Sequence, residues 1–252
     1  MINDDRFRPE LRDILRATSL LSRLPLPHAT ERAAEAAWAW PLVGLLHGAI
    51  AAALAALLLA LGLPAPLSAG VTLAVLVAMS GALHEDGLAD CVDGFWGGWE
   101  RARRLEIMKD SHIGAYGVIA LVLSLLLRWG ALSALFAGGW IVAPLLAAGA
   151  LSRAPMAVLM SRLQNARGEG LSRHVGRPGR NTAHAAVLLA LLLALLLLGP
   201  WSAAVTAALV ALSAFGCARI AQAKIGGQTG DVLGATQQIS EIAALLALTT
   251  LL

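Results

Sequence analysis

Along this chain the apolar positions come in long blocks of Leu, Ala and Val, with short polar stretches between them. Residues 38–61 are apolar apart from His47 and long enough to cross about 30 Å of hydrocarbon. A second block, 67–83, lies at the short end of that range. A third, 113–127, is followed by Arg128 and Trp129, which read as interface anchors. Residues 140–160 form a fourth, carrying Pro144 and Pro155; 185–198 and 201–221 read as a hairpin turning at Gly199-Pro200, and 242–252 closes the pattern. Upstream, Phe7, Leu11, Ile14, Leu15 and Leu21 share one helical face, flanked by Arg6, Arg8, Arg12 and Arg16. Such a helix lies either on the membrane surface or in solvent. The pattern therefore predicts an all-α, polytopic helical membrane protein of about seven transmembrane helices plus an N-terminal amphipathic helix. Residues 1–37 form the interfacial segment, and 38–252 form a single integral-membrane domain.

Composition supports this class. Hydrophobic residues make up 58% and charged residues 14%, with a mean hydropathy of +0.72; an average soluble domain is about 25% charged. The pI of about 9.4 does not indicate a nucleic-acid ligand, because the arginines sit between apolar blocks, where positive-inside loops belong. Arg162, Arg167, Arg173, Arg177 and Arg180 against the single Glu169 make 162–184 a cytoplasmic loop, and span counting puts 1–37, 84–112 and 222–241 on the same side. Cys91 and Cys217 form neither a disulfide framework nor a tetrahedral zinc site. The N-terminus lacks the apolar core and cleavage site of a signal peptide, so none is expected to be removed.

The chemistry concentrates in His84-Glu85-Asp86-Gly87-Leu88-Ala89-Asp90-Cys91-Val92-Asp93-Gly94. Asp86, Asp90 and Asp93 are spaced i, i+4, i+7, which stacks them on one helical face, where like charges repel. A divalent cation relieves that repulsion, and oxygen ligands alone select a hard ion, Mg²⁺ or Mn²⁺. Acids emerging from an apolar span are costly and mark function more often than surface decoration. Arg104 and Lys109 follow, charges suited to a phosphate or diphosphate held by such an ion. His84, Asp93 and Asp110 are the candidate catalytic residues, His84 as a base or a substrate contact and Asp110 as the base or a further metal ligand. A second polar run holds Gly227, Thr229, Gly230 and Asp231 and reads as a phosphate-contacting loop, although a glycine-rich loop by itself is a weak signal. Glu241 is either a boundary residue or part of the site; His47, inside a span, reads as a packed polar residue, and Cys91 is assigned no role. A transporter with acids lining an ion path is the reading from another class, but here the acids cluster at one predicted face beside basic and glycine-rich loops.

These motifs, in order, resemble the cobalamin synthase family, the adenosylcobinamide-GDP ribazoletransferases. The resemblance rests on His84-x-Asp86-Gly87-Leu88-Ala89-Asp90-x-x-Asp93-Gly94, Arg104-Leu105-Glu106-Ile107-Met108-Lys109-Asp110-Ser111, Ile113-Gly114-Ala115-Tyr116-Gly117 and Gly227-x-Thr229-Gly230-Asp231-x-Leu233-Gly234-Ala235. Ser22-Arg23-Leu24-Pro25-Leu26-Pro27, Trp40-Pro41-Leu42-Val43-Gly44 and Glu241 also fit; Glu85 and His112 depart from the pattern. The resemblance implies a multi-pass enzyme of the bacterial cytoplasmic (inner) membrane that joins adenosylcobinamide-GDP to α-ribazole, or its 5′-phosphate, and releases GMP. It implies Mg²⁺ as cofactor, on Asp86, Asp90 and Asp93. Whether the chain forms a homo-oligomer is left open. CDP-alcohol phosphotransferases also pair membrane helices with an aspartate-rich motif, but their Ala-Arg pair is absent here, where Asp90 follows Ala89.

Overall fold

The computed structural model describes residues 7–27 and 31–252, so Arg6 of the predicted N-terminal face lies outside it. Every regular element among the described residues is a helix, with one isolated bridge between Asn165 and Gln228. The apolar blocks become α2 (Trp40–Ala60), α3 (Ala65–Ser80), α6 (Ala115–Ala137), α7 (Val142–Arg162), α9 (Arg180–Ile225) and α10 (Gly230–Leu251). Between and before them lie α1 (Arg12–Leu21), α4 (Leu83–Gly97), α5 (Arg101–Ile107) and α8 (Leu171–Val175).

Five helices are each long and apolar enough to cross a membrane, and a sixth crossing is counted if α3 and α4, bent by 86°, act as one broken span. The bend follows from two consecutive left-handed residues, Gly81 (φ 63°) and Ala82 (φ 56°). The 46-residue α9 is about twice the length one crossing needs and breaks at Gly199 (φ 74°) just before Pro200, the predicted turn. Large apolar side chains cover its outer faces, Leu188, Leu196, Leu212 and Phe215 among them, as lipid contact requires.

The predicted N-terminal face divides. Ile14 and Leu21 pack with Ala17 and Trp40, whereas Phe7, Leu11 and Leu15 remain exposed. Asp13 sets this orientation: it is fully buried and accepts from Arg16 Nη1 (2.8 Å) and Trp38 Nε1 (3.0 Å).

The central helix is α7, which packs on α2, α9 and α10 and is buried along most of its length. Its contact with α2 is backbone to backbone: a Cβ on Gly44 would lie 1.9 Å from the Gly149 carbonyl oxygen. Gly44→Ala is therefore expected to lower the unfolding midpoint in detergent, by an amount equivalent to about 1–3 kcal/mol. An unchanged midpoint would mean the two helices separate without cost.

Two predicted boundaries fail for one reason. Arg128 is not an interface anchor: it lies within α6 at 2% exposure and donates to Glu85 (2.8 Å) and Glu241 (Nη2, 2.9 Å). The last helix starts at Gly230 rather than near 242, so 230–241 is helical, not loop. Its polar residues find partners inside the bundle. Gln238 accepts from Ser124 and Arg128, and Gln237 donates to Ser152. Glu241 is accordingly buried in the core rather than at a boundary. His47 is packed as expected, within hydrogen-bond distance of Ser22 (3.0 Å) and Arg153 (3.3 Å).

Candidate active site

The i, i+4, i+7 acids do fall on a helix, α4, but tertiary contacts divide them. Asp86 is exposed and Asp90 half-buried, and neither has a hydrogen bond or ion pair among the described residues. Asp93 is turned into the protein, where one carboxylate oxygen accepts from Gly114 N–H (2.7 Å) and the other from Gly117 N–H (2.9 Å). It caps the start of α6, whose first N–H groups have no partner within the helix. The expected trio is therefore not gathered around one point. No group of three His, Cys, Asp or Glu side chains among the described residues is placed to hold an ion.

The fourth acid is Asp231, at the start of α10. Gly87 permits this meeting, since a Cβ there would lie 2.7 Å from the Asp231 carbonyl oxygen. Asp231, Asp86 and Asp93 all act on the charge of Asp90, and so does Arg167, which pairs with Asp231 at 2.8 Å. Thr229 caps α10: its hydroxyl accepts from Val232 N–H (3.3 Å) and donates to Asp231 (3.2 Å).

Beside these groups lies a cavity of about 120 Å³, open in part to solvent. Asp86, His84, Arg167, Glu169, Ser172, Thr229, Gly230 and Asp231 form its polar wall, and Leu20, Trp40, Met156 and Met160 part of its apolar wall. His84 and Trp40 are each only 2% exposed, and His84 Nε2 and Trp40 Nε1 have no partner. Buried polar atoms rarely stay unpaired, which sets these two side chains apart on the cavity wall.

The remaining predicted residues stand further out. Arg104 donates to the carbonyls of Gly98 (3.0 Å) and Lys224 (2.9 Å), fastening α5 to the end of α9. Lys109 pairs with Glu169 on the cavity rim, at 2.5 Å. The Lys109 hydrogen bond and charge hold the Glu169 carboxyl below its usual range. Asp110 is exposed and bonded to His112, which lowers its affinity for protons and makes it a poor base. Gly227 serves the backbone. Its neighbour Gln228 exchanges hydrogen bonds with Gln164 and Ala166, and a Cβ on Gly227 would meet Gln164 O at 2.2 Å.

Arg167 is the residue that local reasoning missed. Five arginines punctuate 162–180, and nothing near Arg167 in the chain separates it from its neighbours. Arg177, for comparison, only donates to the Ser161 and Arg162 carbonyls at the end of α7.

A bundle of apolar helices with carboxylates, a guanidinium and an unpaired imidazole around one cavity defines a helical membrane protein with a polar site. The profile of the cobalamin-5-phosphate synthase family matches residues 13–249, and the chain belongs to that family. Among its relatives, the adenosylcobinamide-GDP ribazoletransferase of Bradyrhizobium diazoefficiens is 43% identical over 247 residues, covering 96% of this chain and 95% of the relative. The enzyme of the same name from Mesorhizobium japonicum is 43% identical over 242 residues (95% and 93% covered). That from Azorhizobium caulinodans is 44% identical over 250 residues (94% of each). No solved structure matches.

Proposed function

We propose that the cavity between α4, the 163–170 loop and α10 is where this chain performs the reaction of its family. That reaction is late assembly of the cobalamin nucleotide loop: adenosylcobinamide phosphate passes from adenosylcobinamide-GDP to α-ribazole or its 5′-phosphate. The observation that carries the reading is the cavity wall itself. The unpaired carboxylate of Asp86 and the side chains of His84, Trp40 and Arg167, each with a nitrogen left unpaired among the described residues, line one space in a chain that matches such transferases along nearly its whole length.

Asp86 and Asp90 suit Mg²⁺ because they offer only oxygen and have no partner among the described residues. Mg²⁺ takes one or two protein carboxylates and completes its shell with water and substrate phosphate oxygens, so a closed cage of three acids is not needed. When bound, the ion supplies charge neutralisation at the diphosphate. The chain does the rest by placement. Trp40 and Met160 form part of an apolar wall, and the first turn of α10 brings backbone N–H groups beside the cavity for phosphate oxygens. A ribazole hydroxyl oxygen forms the new bond to phosphorus, and the phosphoanhydride bond breaks with its electron pair leaving on GMP. His84, which lines the cavity and whose Nε2 is unpaired among the described residues, takes the hydroxyl proton.

In the membrane, α2, α3, α6, α7, the two halves of α9 and α10 make seven crossings. The site then lies at the cytoplasmic face of the bacterial inner membrane, with the arginine-rich 162–180 segment.

Detergent-solubilised protein given adenosylcobinamide-GDP, α-ribazole and Mg²⁺ is expected to release GMP in step with cobalamin product. Chelation by EDTA should stop it and added Mg²⁺ restore it. Turnover indifferent to EDTA would remove the metal from the scheme, and no transfer with either acceptor would overturn the assignment.

A further inference from the structure

We propose that Arg167 is a phosphate-binding residue of this site, using one edge of its guanidinium while the opposite end is held by Asp231. This rests on the transferase reading above and adds a residue that the motifs do not name.

Arg167 is placed twice over. Its backbone N–H donates to Asn165 Oδ1 (2.9 Å), and Asn165 Nδ2 in turn donates to Ser172 Oγ (2.8 Å). Its Nη1 donates to Asp231 Oδ2 (2.8 Å). That leaves Nε and Nη2, both buried and both without a partner. These two nitrogens form the side edge of the guanidinium, whose parallel N–H groups match two oxygens of a phosphate. Arg167 lines the same cavity as His84 and Trp40, whose ring nitrogens are also unpaired. Three side chains from three separate segments line one cavity, and each carries a buried donor-capable nitrogen that is unpaired among the described residues. Internal packing does not account for this, because an unpaired buried donor is costly and is normally satisfied by a neighbour or a ligand. Among the described residues no carboxylate meets the free edge: Asp231 occupies the other end, and Asp86 has no ion pair.

A phosphoryl group can come from the donor's diphosphate or from the 5′-phosphate of a phosphorylated acceptor. Kinetics of R167K and R167Q with α-ribazole and with α-ribazole 5′-phosphate separate the two. Lysine keeps the charge and removes the two-pronged edge. A tenfold or greater rise in the donor KM with either acceptor assigns Arg167 to the diphosphate. A rise confined to the KM of the phosphorylated acceptor assigns it to that phosphate. Unchanged KM values in both variants, including a fall in kcat alone, would overturn the proposal. A binding readout guards against loss of fold. Inorganic pyrophosphate, with EDTA present, should raise the Tm of the solubilised wild-type protein and leave that of R167K unmoved. A wild-type Tm indifferent to pyrophosphate would also overturn it. The transferase reading fails separately, if wild-type protein with Mg²⁺ forms no product.

Discussion

Asp86→Asn and Asp90→Asn are expected to abolish GMP release, by roughly 10³-fold or more, while the protein accumulates in the membrane as before. Removing one group that meets developing charge at a preorganised site typically costs 10²–10³-fold in kcat. Here the carboxylates are also the proposed seat of the metal, so a larger loss follows. Stability should hold, because neither side chain has a hydrogen bond or ion pair to lose among the described residues. The neutral amide also relieves repulsion from Asp231 and Asp93. The check is single-turnover GMP release at saturating Mg²⁺, alongside membrane abundance and Tm. Near-wild-type turnover in both variants would sink the placement of the metal on α4.

Arg128→Met is expected to produce the largest loss of stability, about 3–5 kcal/mol. Arg128 joins Glu85 of α4 to Glu241 of α10, with every partner buried. Removing the guanidinium strands two carboxylates away from water, and breaking such a pair costs far more than the intact pair contributes. The effect should reverse with the charges. The triple variant Arg128→Met, Glu85→Gln, Glu241→Gln has no stranded charge and should recover most of the lost Tm. Equal Tm for the single variant and the parent would show that water or lipid headgroups reach the carboxylates. This network also has a bearing on activity, because Glu85 directly precedes Asp86, so the orientation of the acidic face depends on Arg128.

Much of this was legible from local pattern. The helical spacing of Asp86 and Asp90 and the turn at Gly199-Pro200 read correctly, because each is decided within a few residues. Thr229 and Asp231 do line one cavity together, although the glycine-rich run proved to be a helix start rather than a loop. Arg128 was misread because a charged residue next to a tryptophan resembles the end of a span. Asp93 shares its spacing with the other acids, yet its oxygens belong to the first turn of α6. Arg167 had no local mark at all.

Sequence alone determined that this chain is a helical membrane protein, where most of its helices run, and which helix carries the acidic face, since hydrophobic length and helical period are properties of contiguous residues. Only the tertiary structure decided which charge answers which: Arg128 to Glu85 and Glu241, Arg167 to Asp231, the α6 amides to Asp93, and, among the described residues, nothing to Asp86. Inside a bilayer a charge is tolerated according to what stands beside it in space, and those neighbours come from helices far apart in the chain.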